Sequence, residues 1–90
     1  MDILIVDDER SVRQATSYAL QAEDHYVESA EDSTTALKRV KEAAFDVVFL
    51  DLRLGSEDGI DVMKKILELK SDQLVVIFTA HGVAARAEMS

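Results

Sequence analysis

The sequence predicts an α/β fold on a mostly parallel sheet, from three observations. The apolar runs Ile3–Val6, Val47–Leu50 and Leu74–Phe78 are short and read as buried strands. The segments between the strands place apolar residues at helical spacing. Strand and helix alternate along all 90 residues with no linker, low-complexity stretch or fixed-period repeat. Strands separated by helices of this length form βαβ units with right-handed crossovers.

The first strand is Ile3 to Val6. A helix follows from about Ser11 to Ala22, with Val12, Ala15, Ala19 and Leu20 on its inner face and Ser11 or Asp8 as its cap. Tyr26 to Ser29 is a second strand, short and flanked by polar residues, which suits a sheet edge. Ser33 is a plausible N-cap for a helix to Ala43, whose inner face carries Ala36, Leu37, Val40 and Ala44. Asp46 to Leu50 is the third strand. The polar loop Arg53 to Gly59 holds Gly55 and Gly59, read as turn residues. A third helix spans Ile60 to Leu69, with Ile60, Met63, Ile66 and Leu67 inward. Leu74 to Phe78 is the fourth strand. Val83 to Met89 is compatible with a short helix but lacks a strong apolar face.

Ninety residues, 48% of them hydrophobic, fit one domain with a real core. The net charge of -8, from 18 acidic and 10 basic residues, disfavours direct binding to nucleic acid or an anionic membrane and suits cations or basic partners. With no cysteine, neither a disulfide framework nor a thiolate zinc site is possible. No apolar run approaches the roughly 20 residues of a membrane span. No signal peptide is visible, and a soluble cytoplasmic protein is the default expectation.

Chemistry concentrates where the apolar runs end. Asp7 and Asp8 follow Ile3–Val6, Asp51 follows Val47–Leu50, and Thr79 follows Leu74–Phe78. If these strands lie side by side, their carboxyl ends share the edge at which open α/β sheets bind ligands. Clustered carboxylates repel and stay ionised only if a cation offsets the charge. The ordinary reading of Asp7, Asp8 and Glu9 is a helix start whose acids complement the macrodipole; the functional one is a hard-cation site of the kind magnesium prefers. For Asp51 the ordinary reading is a loop-start residue capping backbone amides. A charge ending an apolar run is costly unless paired or metal-bound, which favours a reactive aspartate suited to phosphoryl transfer. Thr79 could donate its hydroxyl to a phosphoryl oxygen, and the small Ala80 would leave room for the group. His25 and His81 lack ligand spacing and read as solvated. The glycines match neither nucleotide-binding loop pattern.

Together these residues resemble the receiver domain of two-component response regulators. The carriers are Ile3-Leu4-Ile5-Val6-Asp7-Asp8-Glu9, then Asp51-Leu52-Arg53-Leu54 with Asp58-Gly59, then Val76-Ile77-Phe78-Thr79-Ala80. The wording around Asp51 and Thr79 looks most like receivers of sigma-54-dependent activators. The resemblance implies a flavodoxin-like doubly wound sheet with strand order 2-1-3-4 and three to four helices. It implies that a sensor histidine kinase or phosphotransfer protein phosphorylates Asp51. Magnesium would bind Asp8 and Asp51 directly, Asp7 through water, and the backbone carbonyl of Arg53. Thr79 would contact the phosphoryl group, whose charge of about -1.5 to -2 would bias a two-state surface. The chain would be a phosphoacceptor and not an enzyme in the usual sense.

Three departures from the family pattern stand out. Residues 1–90 cover only part of the family domain, without its last strand and helix. The family's lysine and switch aromatic on that strand have no counterpart, and Lys64, Lys65 and Lys70 cannot be assumed to substitute. The proline usual four residues after the phosphoacceptor is Gly55, which should loosen the loop. Truncation should bare the edge of Leu74–Phe78 and favour a two-fold homodimer, with Val83–Met89 able to swap onto the partner. Two other functions compete: a self-associating receiver remnant that is not phosphorylated, and a haloacid dehalogenase-type phosphatase, which wants an acid where Arg53 stands.

Overall fold

The computed structural model describes residues 1–79 and 82–87, with side chains through residue 78. The elements are β1 (Asp2–Val6), α1 (Arg10–Ala22), β2 (Tyr26–Ala30), α2 (Ser33–Glu42), β3 (Val47–Asp51), the two-residue strands β4 (Arg53–Leu54) and β5 (Glu57–Asp58), α3 (Gly59–Leu69), β6 (Val75–Thr79) and β7 (Gly82–Ala87). The main sheet has the order β2-β1-β3-β6-β7, while β4 and β5 form a separate hairpin. The first four strands run parallel, so the predicted order holds, with β6 as the predicted fourth strand. Tyr26–Ala30 is an edge strand, as expected.

The apolar runs are explained by burial on both faces. Leu4, Val6, Val48, Leu50, Val75 and Ile77 pack with Ala36 and Val40 of α2 and Val62 and Ile66 of α3. Ile3, Ile5 and Val47 point to the opposite face, against Leu20, Val27, Phe49, Leu74 and Val76. Among the described residues, α1 is the one helix beside that second face, and no residue of α1 is buried. Val12 and Leu20 turn inward, but Ala15 and Ala19 are exposed; Arg13, Thr16 and Ser17 take the half-buried positions instead. A methyl group carries too little burial energy to set the phase of a helix, and Leu20 sets it here. In α3, Val62 is buried with Ile66, whereas Ile60, Met63 and Leu67 pack at the margin.

The helix caps also differ from expectation. Asp32, not Ser33, caps α2: its carboxylate accepts the Thr35 N–H at 2.8 Å. That bond holds the Asp32 carboxyl below its ordinary range. Ser33 is the first helical residue, buried, and its hydroxyl donates to Glu57. Neither Ser11 nor Asp8 caps α1, whose N-cap is Glu9 with no side-chain capping bond. At the other end of α1, Asp24 adopts φ 66°. The Asp24 N–H reaches Gln21 O and the His25 N–H reaches Leu20 O, which closes the helix in a Schellman motif.

The stretch expected as a short helix from Val83 is a strand over residues 82–87; residues 88 and 89 lie outside the described residues. It pairs antiparallel with β6, from Thr79↔Gly82 to Val75↔Ala87, with a register shift between Ile77 and Phe78. A segment without an apolar helical face gains more by pairing its backbone with an open strand than by forming a helix. The expectation of a bare edge at Leu74–Phe78 is therefore overturned, since β6 is paired on both sides.

Asp24 is an L-residue in a conformation that glycine adopts without steric penalty. Asp24→Gly is expected to stabilise the fold by about 0.5 kcal/mol, seen as a higher urea midpoint at an unchanged slope. A midpoint at or below that of the parent would contradict this reading.

Candidate functional site

The parallel register brings the strand ends together. Val6 pairs with Leu50 across β1 and β3, and Asp51 pairs with Phe78 across β3 and β6. The chain continues β1 by one bond, Asp7 N–H to Ala30 O at 3.1 Å, before turning into α1. Asp7, Asp8 and Asp51 thus meet at the carboxyl edge, each offering one oxygen, all within 4.8 Å of one another. This edge is where the crevice of an open α/β sheet forms.

The three acids grade from the interior to solvent. Asp7 is 2% exposed, Asp51 is half-buried and Asp8 is exposed. Each carboxylate is held by a backbone amide. Glu9 N–H donates to Asp7 Oδ1 at 2.9 Å, Arg53 N–H to Asp51 Oδ1 at 3.1 Å, and Gly55 N–H to Asp8 Oδ2 at 3.1 Å. These bonds answer the capping question at α1: Asp7 turns onto the Glu9 amide and Asp8 onto the loop. Gly55, expected to loosen the loop, instead ties it to Asp8 through an N–H that proline would lack.

No cationic side chain among the described residues forms an ion pair with the cluster. Among the described residues the ion pairs are Arg39–Glu28 at 3.0 Å and Arg13–Glu31 at 4.0 Å, and neither includes the three acids. Arg13 reaches Asp7, but its Nη1 donates to the backbone oxygen, at 2.7 Å, and not to the carboxylate. Lys70 is committed to Ala43 O at 2.8 Å, and Lys64 and Lys65 are exposed on α3. Burial raises the Asp7 carboxyl above its ordinary value; the Glu9 amide opposes this, and the charges of Asp51, Asp8 and Glu9 reinforce it. Three oxygen donors with uncompensated charge fit a small hard cation such as magnesium.

The loop after Asp51 is shaped by glycine in two ways. Gly55 needs its φ of 63°. Gly59 is not a turn residue but the first residue of α3, pressed against the chain: an added Cβ would lie 2.3 Å from Asp51 O and 2.9 Å from Leu52 Cα. Its N–H bonds Leu52 O, and Asp58 caps α3 by accepting the Ile60 N–H at 2.9 Å. The hairpin between them pairs Arg53 with Asp58 and Leu54 with Glu57, and Glu57 accepts the Ser33 hydroxyl from α2. Sequence reasoning took Ser33 for a helix cap and missed its bond to Glu57, which no recognisable motif marks.

The backbone of Thr79 lies one residue beyond Phe78, the pairing partner of Asp51, at the same sheet edge. Its side chain, Ala80 and His81 lie outside the described residues. His25 is half-buried far along the chain from these acids, with its Nδ1 3.1 Å from the N-terminal amine.

Comparison with known proteins agrees with this geometry. The family model for the response regulator receiver domain matches residues 3–89. The chain is 36% identical over 85 residues to the alginate biosynthesis transcriptional regulatory protein AlgB of Pseudomonas aeruginosa, covering 94% of this chain and 19% of AlgB. It thus spans about a fifth of the length of that relative. The crystal structure of the response regulator TrrA from Thermotoga maritima in complex with Mg2+-BeF superposes with a TM-score of 0.82 at 33% identity, covering 88% of this chain and 69% of TrrA. The beryllofluoride-activated NtrC4 receiver domain dimer gives a TM-score of 0.82 at 32% identity, covering 92% of this chain and 69% of NtrC4.

Two outcomes test the site. The folded state binds the Asp7 proton more tightly than the unfolded chain. Asp7 therefore costs stability at neutral pH, and this cost is relieved as pH falls through the raised folded value toward 3.8. Asp32 acts oppositely: its contribution is present above 3.8 and is lost as pH falls through its lowered value. Asp7→Asn is expected to raise the metal-free melting temperature at pH 7, by a margin that shrinks as pH falls toward 3.8, so that the acid limb steepens; an unchanged or lower value at pH 7 contradicts this. Gly59→Ala is expected to destabilise by about 1–3 kcal/mol through overpacking, measured by urea unfolding.

Proposed function

The chain belongs to the response regulator receiver domain family, and on that premise we propose that Asp51 accepts a phosphoryl group from a histidine kinase or phosphotransfer protein. The observation that carries this reading is the meeting of Asp7, Asp8 and Asp51 within 4.8 Å with no paired cation among the described residues. Asp8 and Asp51 would hold magnesium directly and Asp7 through water, with the backbone carbonyl of Arg53 as the remaining protein ligand. Bound there, the ion supplies charge neutralisation for the transferring phosphoryl oxygens. Support for magnesium comes from the donor chemistry and from TrrA, a structural relative in complex with Mg2+-BeF.

Within this reading Asp51 is the nucleophile. Its Oδ1 accepts the Arg53 N–H, which fixes the carboxylate plane and leaves Oδ2 to attack phosphorus. A P–O bond forms, the donor's P–N bond breaks, and the departing imidazole takes up a proton. Thr79 is assigned the contact with a phosphoryl oxygen, and Ala80 the space beside it. The acidic balance of -8 argues against direct nucleic-acid contact by these residues. No described helix is long and apolar enough to cross a membrane.

A second reading keeps the fold as an interaction module without phosphorylation. It is favoured by one observation: no lysine among the described residues stands at the acidic cluster. Self-association belongs to both readings. Pairing of β6 with β7 removes the route through the β6 edge; the α1-side face, with Phe49, Leu74 and Val76 half-buried, is the apolar surface left for self-association. The NtrC4 receiver dimer lends support.

Incubation with acetyl phosphate and magnesium, followed by intact-mass spectrometry, is expected to show one added phosphoryl group that Asp51→Asn abolishes. An unmodified wild-type chain would favour the interaction module. An adduct that survives Asp51→Asn would overturn the assignment of the acceptor.

A further inference from the structure

Asp8 is the exposed member of a cluster of three like charges. Repulsion from Asp7 and Asp51 favours any rotamer that carries its carboxylate out to solvent. Only one described side-chain hydrogen bond opposes this, from Gly55 N–H to Asp8 Oδ2 at 3.1 Å across 47 residues of sequence. We propose that the Gly55 backbone N–H is a positioning donor for Asp8, holding that carboxylate in the cluster for a divalent cation. This rests on the reading of Asp8 as a magnesium ligand.

The donor is built into a supported loop. Gly55 sits at the tip of the β4–β5 hairpin, which is tied to α2 through Ser33 and Glu57 and to α3 through the Asp58 cap. The amide is therefore presented from a hairpin anchored at two points and not from a free loop. Its direction depends on the φ of 63° at Gly55. An added Cβ there meets nothing within 4 Å, so only backbone conformation and the N–H restrict the position. A proline would remove the donor and lock φ near −65°. Where the family pattern carries proline, this chain has an extra hydrogen bond onto a proposed metal ligand. Partners of metal ligands outside the coordination shell are typically worth about 10–100-fold in affinity, and the exposure of this pair places it at the low end.

The test uses magnesium titrations of the whole chain followed by NMR, with melting temperature recorded for each variant. Gly55→Pro is expected to weaken magnesium binding about tenfold. Gly55→Asn, which keeps the N–H and tolerates positive φ, should stay within about twofold. Equal or tighter binding by the proline variant overturns the proposal. So does a tenfold loss in the asparagine variant, which would show that the loop matters and the donor does not. A second measurement needs neither variant: without metal, the Gly55 amide should move upfield and exchange faster in Asp8→Ala than in wild type, and an unmoved amide overturns the proposal even if the proline variant fails to fold. No magnesium binding by wild type overturns the metal reading itself, and this inference with it. Binding by wild type that is indifferent to Gly55→Pro overturns the inference alone.

Discussion

Burial of β1 on both of its faces is the constraint on which the rest of the molecule depends. Ile3, Leu4, Ile5 and Val6 are 0–1% exposed, alternating between the two apolar clusters. A strand buried on both sides cannot slip by one residue without exchanging its side chains between the clusters. Its register against β2 and β3 is therefore well determined. That register is what brings Asp7 beside Asp51: the acids converge because the apolar residues before them cannot move.

The same arrangement sets stability against function. Asp7 sits where a hydrophobic residue would serve the fold better, and burial raises its carboxyl accordingly. The surrounding structure offers backbone amides from Glu9, Arg53 and Gly55 in place of a cationic side chain. An amide dipole offsets only part of a charge, so the cluster retains a preference for a cation. Gathering acids without a paired cation among the described residues breaks a local rule at this edge, which is a usual mark of a functional site.

The two faces of the sheet are unequal. The side with α2 and α3 is a closed layer joined through Ala36, Val40, Val62 and Ile66. Among the described residues the other has α1 alone, and Phe49, Leu74 and Val76 remain half-buried. Near the opposite edge from the acids, Lys70 and the buried Gln73 donate to Ala43 O and Phe45 O, tying the approaches to β3 and β6 together. The site edge is held in its own way, by Gly59 pressed against Asp51 and by the Ser33–Glu57 bond. Both ends of the central strands are thus anchored without any contribution from the thin face.

Much of this was legible from residue order. The apolar runs of β1, β3 and β6, the polar-flanked edge strand β2 and the three helices follow from local periodicity, which depends only on neighbours in sequence. The placement of Asp7, Asp8 and Asp51 at strand ends followed too, because strand termini are marked by the loss of apolar character. Tertiary structure alone decided the phase of α1, the exchange of capping roles between Asp32 and Ser33, the pairing of β7 and the tether from Gly55 to Asp8. Each depends on a partner brought close by folding: Ser33 and Glu57 are 24 residues apart, Asp8 and Gly55 are 47. A serine, a glycine or a weakly patterned segment carries no local signal of such a partner. Its role is set by which backbone groups remain unpaired once the sheet has formed.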